Sequence, residues 1–307
     1  MKANWTVGIV NFKSSIYLEY QLKNLYEFND VESFKLIIID NSIPFEKDEL
    51  EKLIAPYKKY NNCEIVYFNA SQEPLMRGSG QHGEGLTEIL KRTDTEFLLV
   101  HDPDFFFVEK NYLKTLENEL RKGNLSVGAP YRNPSETGKI GNPDFPSAFG
   151  AAYKVSAIRE LDFNPSLSKE KFDGMSSCWI EPEGADVGWK IRDLLSKSKY
   201  ESFSQKPKRI LRCLGKYTHN MLPYAYYLKG RLIAYHLFRG TFVDSEMSFM
   251  NSNITKSAPQ EWNLARERFA RFFYNEIKGG IYRIRNRALV LCLKIPNKIH
   301  KLIHSEK

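Results

Sequence analysis

The chain is poor in cysteine and lacks any long apolar run. Its 307 residues include four cysteines, Cys63, Cys178, Cys213 and Cys292. These lie far apart, with no C-x-x-C pair and no histidine at ligand spacing, so neither a zinc site nor a disulfide framework is expected. No run reaches the roughly eighteen apolar residues of a membrane-spanning helix, and the start leads straight into a strand-like run without room for a signal peptide. We therefore expect a soluble, non-secreted chain from a reducing cytoplasm.

Positive charge is in excess only near the C-terminal end of the sequence. The chain has 45 Lys and Arg against 37 Asp and Glu. Residues 251–307 contain twelve basic and four acidic residues, which leaves 33 of each in residues 1–250. A basic end of this kind indicates an anionic partner surface, either phospholipid or nucleic acid.

Apolar residues in the basic stretch 262–304 recur at helical spacing, and most of its cations fall outside that stripe. A helix with one apolar and one cationic face is typical of binding to an anionic bilayer surface. The alternative is a helix that packs its stripe on the rest of the protein. Nucleic acid is not expected, because the stripe is larger than phosphate contacts require.

The first hundred residues alternate short apolar runs with amphipathic stretches, which is typical of an α/β fold. Strands are predicted at residues 6–11, 35–40, 64–68 and 96–101, and helices at 15–28, 46–57 and 85–91. This repeat predicts a parallel sheet with right-handed connections. Further along, we interpret the Pro- and Gly-rich residues 129–146 as a long loop, followed by an apolar restart at 147–153 and helices at 185–196 and 224–238.

Polar residues stand where the predicted strands end, which is where sheets of this kind bind their ligands. The set comprises Asn11, Asp40, Arg77, His82, Asp102 and Asp104. Arg77 and His82 belong to a glycine-rich stretch that we predict to be a loop after the third strand. We expect all six side chains to converge on one crevice.

Asp102-Pro103-Asp104 is the most specific of these features. Two carboxylates one residue apart, on the turn that leaves a buried strand, suit a hard divalent cation that also binds a diphosphate. Pro103 stiffens the turn. An ordinary acidic turn is the alternative, but the position of Asp40 two strands earlier and the apolar run Phe105–Phe107 afterwards favour the metal interpretation.

With these residues in place, the sequence resembles the GT-A glycosyltransferases, in particular family 2 with its rhamnosyltransferase-like members, over roughly residues 5–245. The matching segments are 7–11, 39–42, 102–104 and 183–192. The resemblance implies a Rossmann-like, mostly parallel α/β sheet flanked by helices. It divides the chain into a domain of residues 1–250, with a nucleotide-binding half (1–128) and an acceptor-binding half (129–250), and a basic helical extension (251–307).

The resemblance also implies roles for single residues. The metal, Mn²⁺ or Mg²⁺, would be bound by Asp102, Asp104 and His236. The nucleotide would be contacted by Asn11, Asp40, Arg77, His82 and Asp102. Asp186 takes the position of the general base, with Glu183 as its acidic neighbour, and Trp189 would face the acceptor sugar.

Two of these assignments have plain alternatives. A carboxylate near a helix N-terminus is held ionised and can accept a hydroxyl proton, but Asp186 also fits a simple N-terminal cap. His236 lies in an aromatic-rich stretch, where a histidine is often an ordinary core residue.

Taken together with the resemblance, these observations predict a metal-dependent glycosyltransferase of the hexosyltransferase type. It would transfer a sugar from a UDP- or dTDP-sugar to a glycan or lipid-linked glycan, with inversion, as a cytoplasmic enzyme on the inner face of the cell membrane. A sugar-phosphate nucleotidyltransferase is a second hypothesis, disfavoured because no glycine-rich phosphate loop follows the first strand. A non-catalytic scaffold that binds a membrane or a partner is the third.

Overall fold

The computed structural model describes residues 3–42, 44–69, 79–130, 144–164, 187–207 and 224–236. Its strands are β1 (Trp5–Asn11), β2 (Phe34–Asp40), β3 (Cys63–Tyr67), β4 (Phe97–His101), β5 (Phe105–Phe107), β6 (Ser126–Pro130), β7 (Pro146–Lys154), β8 (Tyr200–Ser202), β9 (Ser204–Pro207), β10 (Tyr224–Leu228) and β11 (Arg231–His236). Its helices are α1 (Ser15–Phe28), α2 (Lys47–Ile54), α3 (Ser79–Arg92), α4 (Tyr112–Arg121), α5 (Val155–Ile158) and α6 (Trp189–Leu195), with 3₁₀ helices at Val31–Ser33 and Ala55–Tyr60.

Seven strands form the main sheet in the order β3-β2-β1-β4-β7-β6-β8. The pairs β1–β2, β1–β4, β2–β3 and β6–β8 are parallel, whereas β7 runs antiparallel to both β4 and β6. Helices α1, α2 and α4 contribute to the core on one face, and α3, α5 and α6 to the core on the other. The predicted mostly parallel α/β sheet flanked by helices is therefore confirmed.

Strand β1 is buried along its whole length, because helices cover both faces of the sheet. Val7 and Ile9 belong to the core under α1, and Val10 belongs to the core under α3. Helix α3 approaches β1 very closely at Gly85, where an added Cβ would lie 2.9 Å from Val10 Cγ2. This close packing brings the first turn of α3 to the carboxyl edge of the sheet.

A second, antiparallel sheet has the order β5-β11-β10-β9. The helix predicted over residues 224–238 is wrong, since Tyr224–Leu228 and Arg231–His236 form a β-hairpin. Lys229 and Gly230 make its two-residue turn with φ of 49° and 81°, as tight hairpin turns require. Aromatic residues occur in half-buried strands as well as in helices. Here residues 234–236 pair with the distant strand β5, so this segment is a strand.

Other differences are shifts of element boundaries. The helix predicted over 46–57 ends at Ile54 and continues as a 3₁₀ helix that contains Pro56. Helix α3 begins at Ser79 rather than at residue 85, so His82 lies on a helix and not in a loop. Strands β6, β8 and β9 and helices α4 and α5 were not predicted.

Part of the sequence prediction falls outside the described residues. This applies to most of the predicted loop 129–146 and to the whole extension 251–307, so the division of the chain near residue 250 stays a prediction. In the part of the chain that the structure describes, no helix has both the length and the apolar content needed to cross a membrane.

Candidate functional site

Three side chains with metal-ligating atoms meet beyond the carboxyl end of β4. They are Asp102, Asp104 and His236, and one ligand atom of each lies within 4.8 Å of the others. His236 Nε2 is 3.3 Å from Asp104 Oδ1 and 3.9 Å from Asp102 Oδ2. Asp104 and His236 are almost fully buried, whereas the Asp102 side chain is 23% exposed. The cluster therefore opens to solvent on the Asp102 side.

The turn after β4 orients the two carboxylates. Phe105 N donates to the Asp102 carbonyl at 3.0 Å and closes a four-residue turn, while Asp102 N donates to the Phe149 carbonyl on β7 at 3.0 Å. The chain then enters β5, where Phe105 pairs with His236 of β11. This pairing between residues distant in sequence places the imidazole beside Asp104.

Aromatic rings fix the plane of the His236 imidazole. Its ring stacks on Phe149 with centroids 4.8 Å apart and an interplanar angle of 20°. Phe105 lies against it at 5.5 Å in a tilted arrangement. Because Phe149 and Phe105 belong to different sheets, the histidine sits at the junction of the two.

Two buried amides of helix α1 bind the backbone of the turn and of β5. Gln21 Nε2 donates to the carbonyl of Pro103 at 3.1 Å and also to that of Phe105. Asn24 Nδ2 donates to the Phe107 carbonyl at 3.2 Å. Sequence reasoning missed both residues. The sequence feature that could have identified them is their position, three residues apart, within the apolar stripe of the predicted helix.

His101 precedes the turn and carries no charge at neutral pH. Burial lowers the pKa of His101 to about 4, although a hydrogen bond to the Asp102 carbonyl opposes that shift. His101 Nδ1 lies 3.1 Å from this carbonyl oxygen, which can only accept, so Nδ1 carries the proton. His101 thus adds no positive charge beside the two carboxylates.

The chemistry of the cluster fits the predicted ion. Carboxylate oxygens are the ligands that Mg²⁺ and Mn²⁺ prefer, and an imidazole nitrogen suits first-row transition metals. Asp102, Asp104 and His236 are the three residues that would hold the ion. A divalent cation is therefore chemically compatible with the residues present.

Asn11 and Asp40 lie side by side at the ends of β1 and β2, both fully buried. Asn11 Nδ2 donates to Asp40 Oδ1 at 3.0 Å and to Glu46 Oε2 at 2.9 Å. Asp40 also accepts from the backbone N–H groups of Ser42, at 3.1 Å, and Glu46, at 2.8 Å. In this arrangement the two residues order the connection between β2 and α2, and their contact with a nucleotide stays a prediction.

Of the five remaining predicted residues, the structure describes His82 and Trp189. His82 Nε2 lies 3.4 Å from Asp102 Oδ1, so His82 joins the acidic cluster. Trp189 is the first residue of α6 and is partly buried, and its role toward an acceptor stays a prediction. Arg77, Glu183 and Asp186 lie outside the described residues.

Comparisons with known proteins found similarity only among solved structures. No protein-family model matches the chain, and no curated protein matches it. TarS of S. aureus in complex with UDP-GlcNAc is 16% identical, with a TM-score of 0.39 over 51% of this chain and 47% of that one. The mannosyltransferase PcManGT from Pyrobaculum calidifontis, in complex with GDP-Man and Mn²⁺, is 15% identical, with a TM-score of 0.46 over 66% of this chain and 55% of that one. The galactosyltransferase LgtC is 14% identical, with a TM-score of 0.38 over 51% of this chain and 60% of that one. The chain thus spans about half the length of the structures it matches, at 47%, 55% and 60%.

Proposed function

We propose that this protein is a metal-dependent glycosyltransferase that transfers a sugar from a nucleoside diphosphate donor to an acceptor hydroxyl. The observation that carries the proposal is the cluster of Asp102, Asp104 and His236 within 4.8 Å of one another. It lies beyond the carboxyl end of a parallel strand, where open α/β sheets bind their ligands. Two carboxylates and one imidazole suit a divalent cation that binds a diphosphate.

The three residues of the cluster would hold the cation and, through it, orient the diphosphate of the donor. A divalent cation held by them would supply charge that stabilises the departing nucleoside diphosphate. Burial of Asp104 and His236 excludes water from one side of the site, which strengthens the attraction between opposite charges. The 23% exposure of Asp102 leaves the other side open to the donor.

The finer proposal follows the resemblance to family 2 of the GT-A glycosyltransferases. The donor is a UDP- or dTDP-sugar, bound through Asn11, Asp40, Arg77, His82 and Asp102. The acceptor is a glycan or lipid-linked glycan, with Trp189 against its sugar ring. The basic stretch 262–304 would hold the enzyme on an anionic membrane surface at the cytoplasmic side, and nucleic acid is not a partner.

In this scheme Asp186, with Glu183 as its acidic neighbour, is the general base. The acceptor hydroxyl attacks the anomeric carbon and its proton passes to the Asp186 carboxylate. The bond from that carbon to the diphosphate oxygen breaks on the opposite face, and its electron pair leaves with the nucleoside diphosphate. Direct displacement of this kind inverts the anomeric centre.

The proposal is tested by calorimetric titration with UDP, dTDP and GDP, each with Mn²⁺ and with a chelator. We expect one nucleotide to bind only with Mn²⁺, and the corresponding nucleotide sugar to be hydrolysed or transferred. Asp104→Asn should weaken Mn²⁺ binding by on the order of 100-fold or more, because even losing an outer partner of a metal site costs about 10–100-fold.

Asp94→Asn is the matched control, because Asp94 is exposed and pairs with Lys35 away from the cluster. Three results would contradict the proposal. Wild-type activity in Asp104→Asn would remove the metal site from the mechanism. Failure of the folded protein to bind any nucleotide, with liposome binding intact, would favour a scaffold, and pyrophosphate release from a nucleoside triphosphate would indicate a nucleotidyltransferase.

A further inference from the structure

The two carboxylate oxygens of Asp102 face different histidines. Oδ2 lies 3.9 Å from His236 Nε2, on the side of the cluster. Oδ1 lies 3.4 Å from His82 Nε2, on the side of helix α3. The Asp102 carboxylate therefore stands between an imidazole of β11 and an imidazole of α3.

Helix α3 holds His82 at this position through close contacts with the sheet. An added Cβ at Gly85 would lie 2.9 Å from Val10 Cγ2 and 3.2 Å from Asn41 Nδ2, so glycine is needed for this approach. Asn41 Nδ2 donates to the Gln81 carbonyl at 2.8 Å and fixes the first turn of the helix. The backbone of His82 is thus set by a rigid element, which is how precise sites are supported.

Geometry favours an indirect role of His82 toward the ion. Within the described residues, the group of ligand atoms less than 4.8 Å apart consists of Asp102, Asp104 and His236, and His82 falls outside it. Its contact is with Asp102, through the oxygen that faces away from His236. Carboxylates that bind metals are commonly oriented by polar groups outside the ligand set.

We propose that His82 is a positioning residue for Asp102. The contact of its Nε2 with Oδ1, at 3.4 Å, keeps Oδ2 directed toward the site shared with Asp104 and His236. This inference rests on the cation site of the proposed function. It gives His82 a role in addition to its proposed contact with the nucleotide.

The experiment is a titration of the full chain with Mn²⁺ in the absence of nucleotide, with free Mn²⁺ measured by electron paramagnetic resonance. His82→Phe keeps a ring but removes the nitrogen that contacts Oδ1, and we expect its Mn²⁺ dissociation constant to rise by about 10–100-fold. His82→Gln offers an amide N–H close to the position of Nε2, and its dissociation constant should stay within a few-fold of wild type. Lys91→Ala, at the exposed end of the same helix, is the control and should bind as wild type does.

Three outcomes would overturn the inference. An unchanged Mn²⁺ dissociation constant in His82→Phe, with weaker binding of nucleotide alone, would make His82 a contact of the donor only. Equal losses in His82→Phe and His82→Gln, with equally lowered melting temperatures of the metal-free proteins, would indicate a purely structural role. Absence of Mn²⁺ binding in the wild type would overturn the proposed metal site together with this inference, whereas the first two outcomes leave that site intact.

Discussion

Three histidines surround the turn Asp102-Pro103-Asp104, and each has a different environment. His236 stacks on Phe149 beside the carboxylates. His82 is 25% exposed and contacts Asp102 from helix α3. His101 is buried against Phe107 and donates to the backbone of the turn. At the scale of single residues, burial and partners decide what each imidazole does.

The environment of His101 predicts a specific pH dependence of stability. Burial lowers its pKa from 6.5 to about 4, so the unfolded chain binds a proton at a pH where the folded chain does not. The stabilising contribution of neutral His101 is complete above about pH 6.5 and is lost as the pH falls toward 4. Between pH 7 and pH 5 the free energy of unfolding should fall by about 2 kcal/mol from this residue alone.

Urea denaturation of metal-free wild type and His101→Phe at pH 7 and pH 5 measures this difference. The variant keeps an aromatic ring against Phe107 but cannot bind the proton. Its free energy of unfolding should therefore depend less on pH than that of the wild type. Parallel pH profiles for the two proteins would contradict the low pKa.

At the scale of elements, helix α1 and strand β11 assemble the site from opposite sides. Strand β11 pairs with β5 and delivers His236. Helix α1 binds the carbonyls of the turn and of β5 through Gln21 and Asn24. The geometry of the cluster thus depends on elements that contribute no carboxylate.

Gln21→Leu tests this dependence. The substitution leaves the buried carbonyls of Pro103 and Phe105 without the amide donor, which should lower the free energy of unfolding by about 1–3 kcal/mol. The turn should also lose its fixed orientation, so Mn²⁺ binding should weaken. Denaturant titration and Mn²⁺ titration measure the two effects.

Glu27→Leu, at an exposed position of the same helix, is the control for an added leucine. It should change neither quantity appreciably. If Gln21→Leu lost stability but bound Mn²⁺ as tightly as wild type, the amide would support the fold without orienting the site.

At the scale of the whole molecule, the cluster joins the two sheets. The turn with Asp102 and Asp104 links β4 of the main sheet to β5 of the second sheet, and His236 belongs to the second sheet. An ion bound by all three residues would connect the main sheet directly to the hairpin of β10 and β11. Metal binding and the stability of that hairpin should therefore be coupled.

Hydrogen exchange of the amides in β10 and β11 measures this coupling. At Mn²⁺ concentrations about 100 times the dissociation constant, binding stabilises the folded state by about 2.7 kcal/mol. Exchange in the hairpin should slow accordingly in the wild type and remain unchanged in Asp104→Asn. Identical hairpin exchange with Mn²⁺ and with chelator in the wild type would show that the ion does not connect the sheets.

Local patterns in the sequence were sufficient for the first two strands and the helix between them. Helix α1 was predicted with the bounds observed, Ser15–Phe28, and strands β1 and β2 within one residue at their starts. Apolar periodicity is a property of neighbouring residues, so it can be read without the fold. The Asp-x-Asp spacing on a turn after a buried strand was readable for the same reason, and His236 was added through the resemblance.

Tertiary structure decided the features that depend on residues far apart in sequence. Residues 224–236 form strands because β5 and β9 offer hydrogen-bond partners to them, whereas their aromatic run alone is equally typical of a helix. His82 reaches Asp102 because helix α3 packs closely on β1 at Gly85. Gln21 and Asn24 look like any polar residues of a helix until the backbone of the turn is placed against them. Local preferences for helix or strand can be read from the sequence. A buried polar group, in contrast, acquires its hydrogen-bond partners only when distant segments pack together.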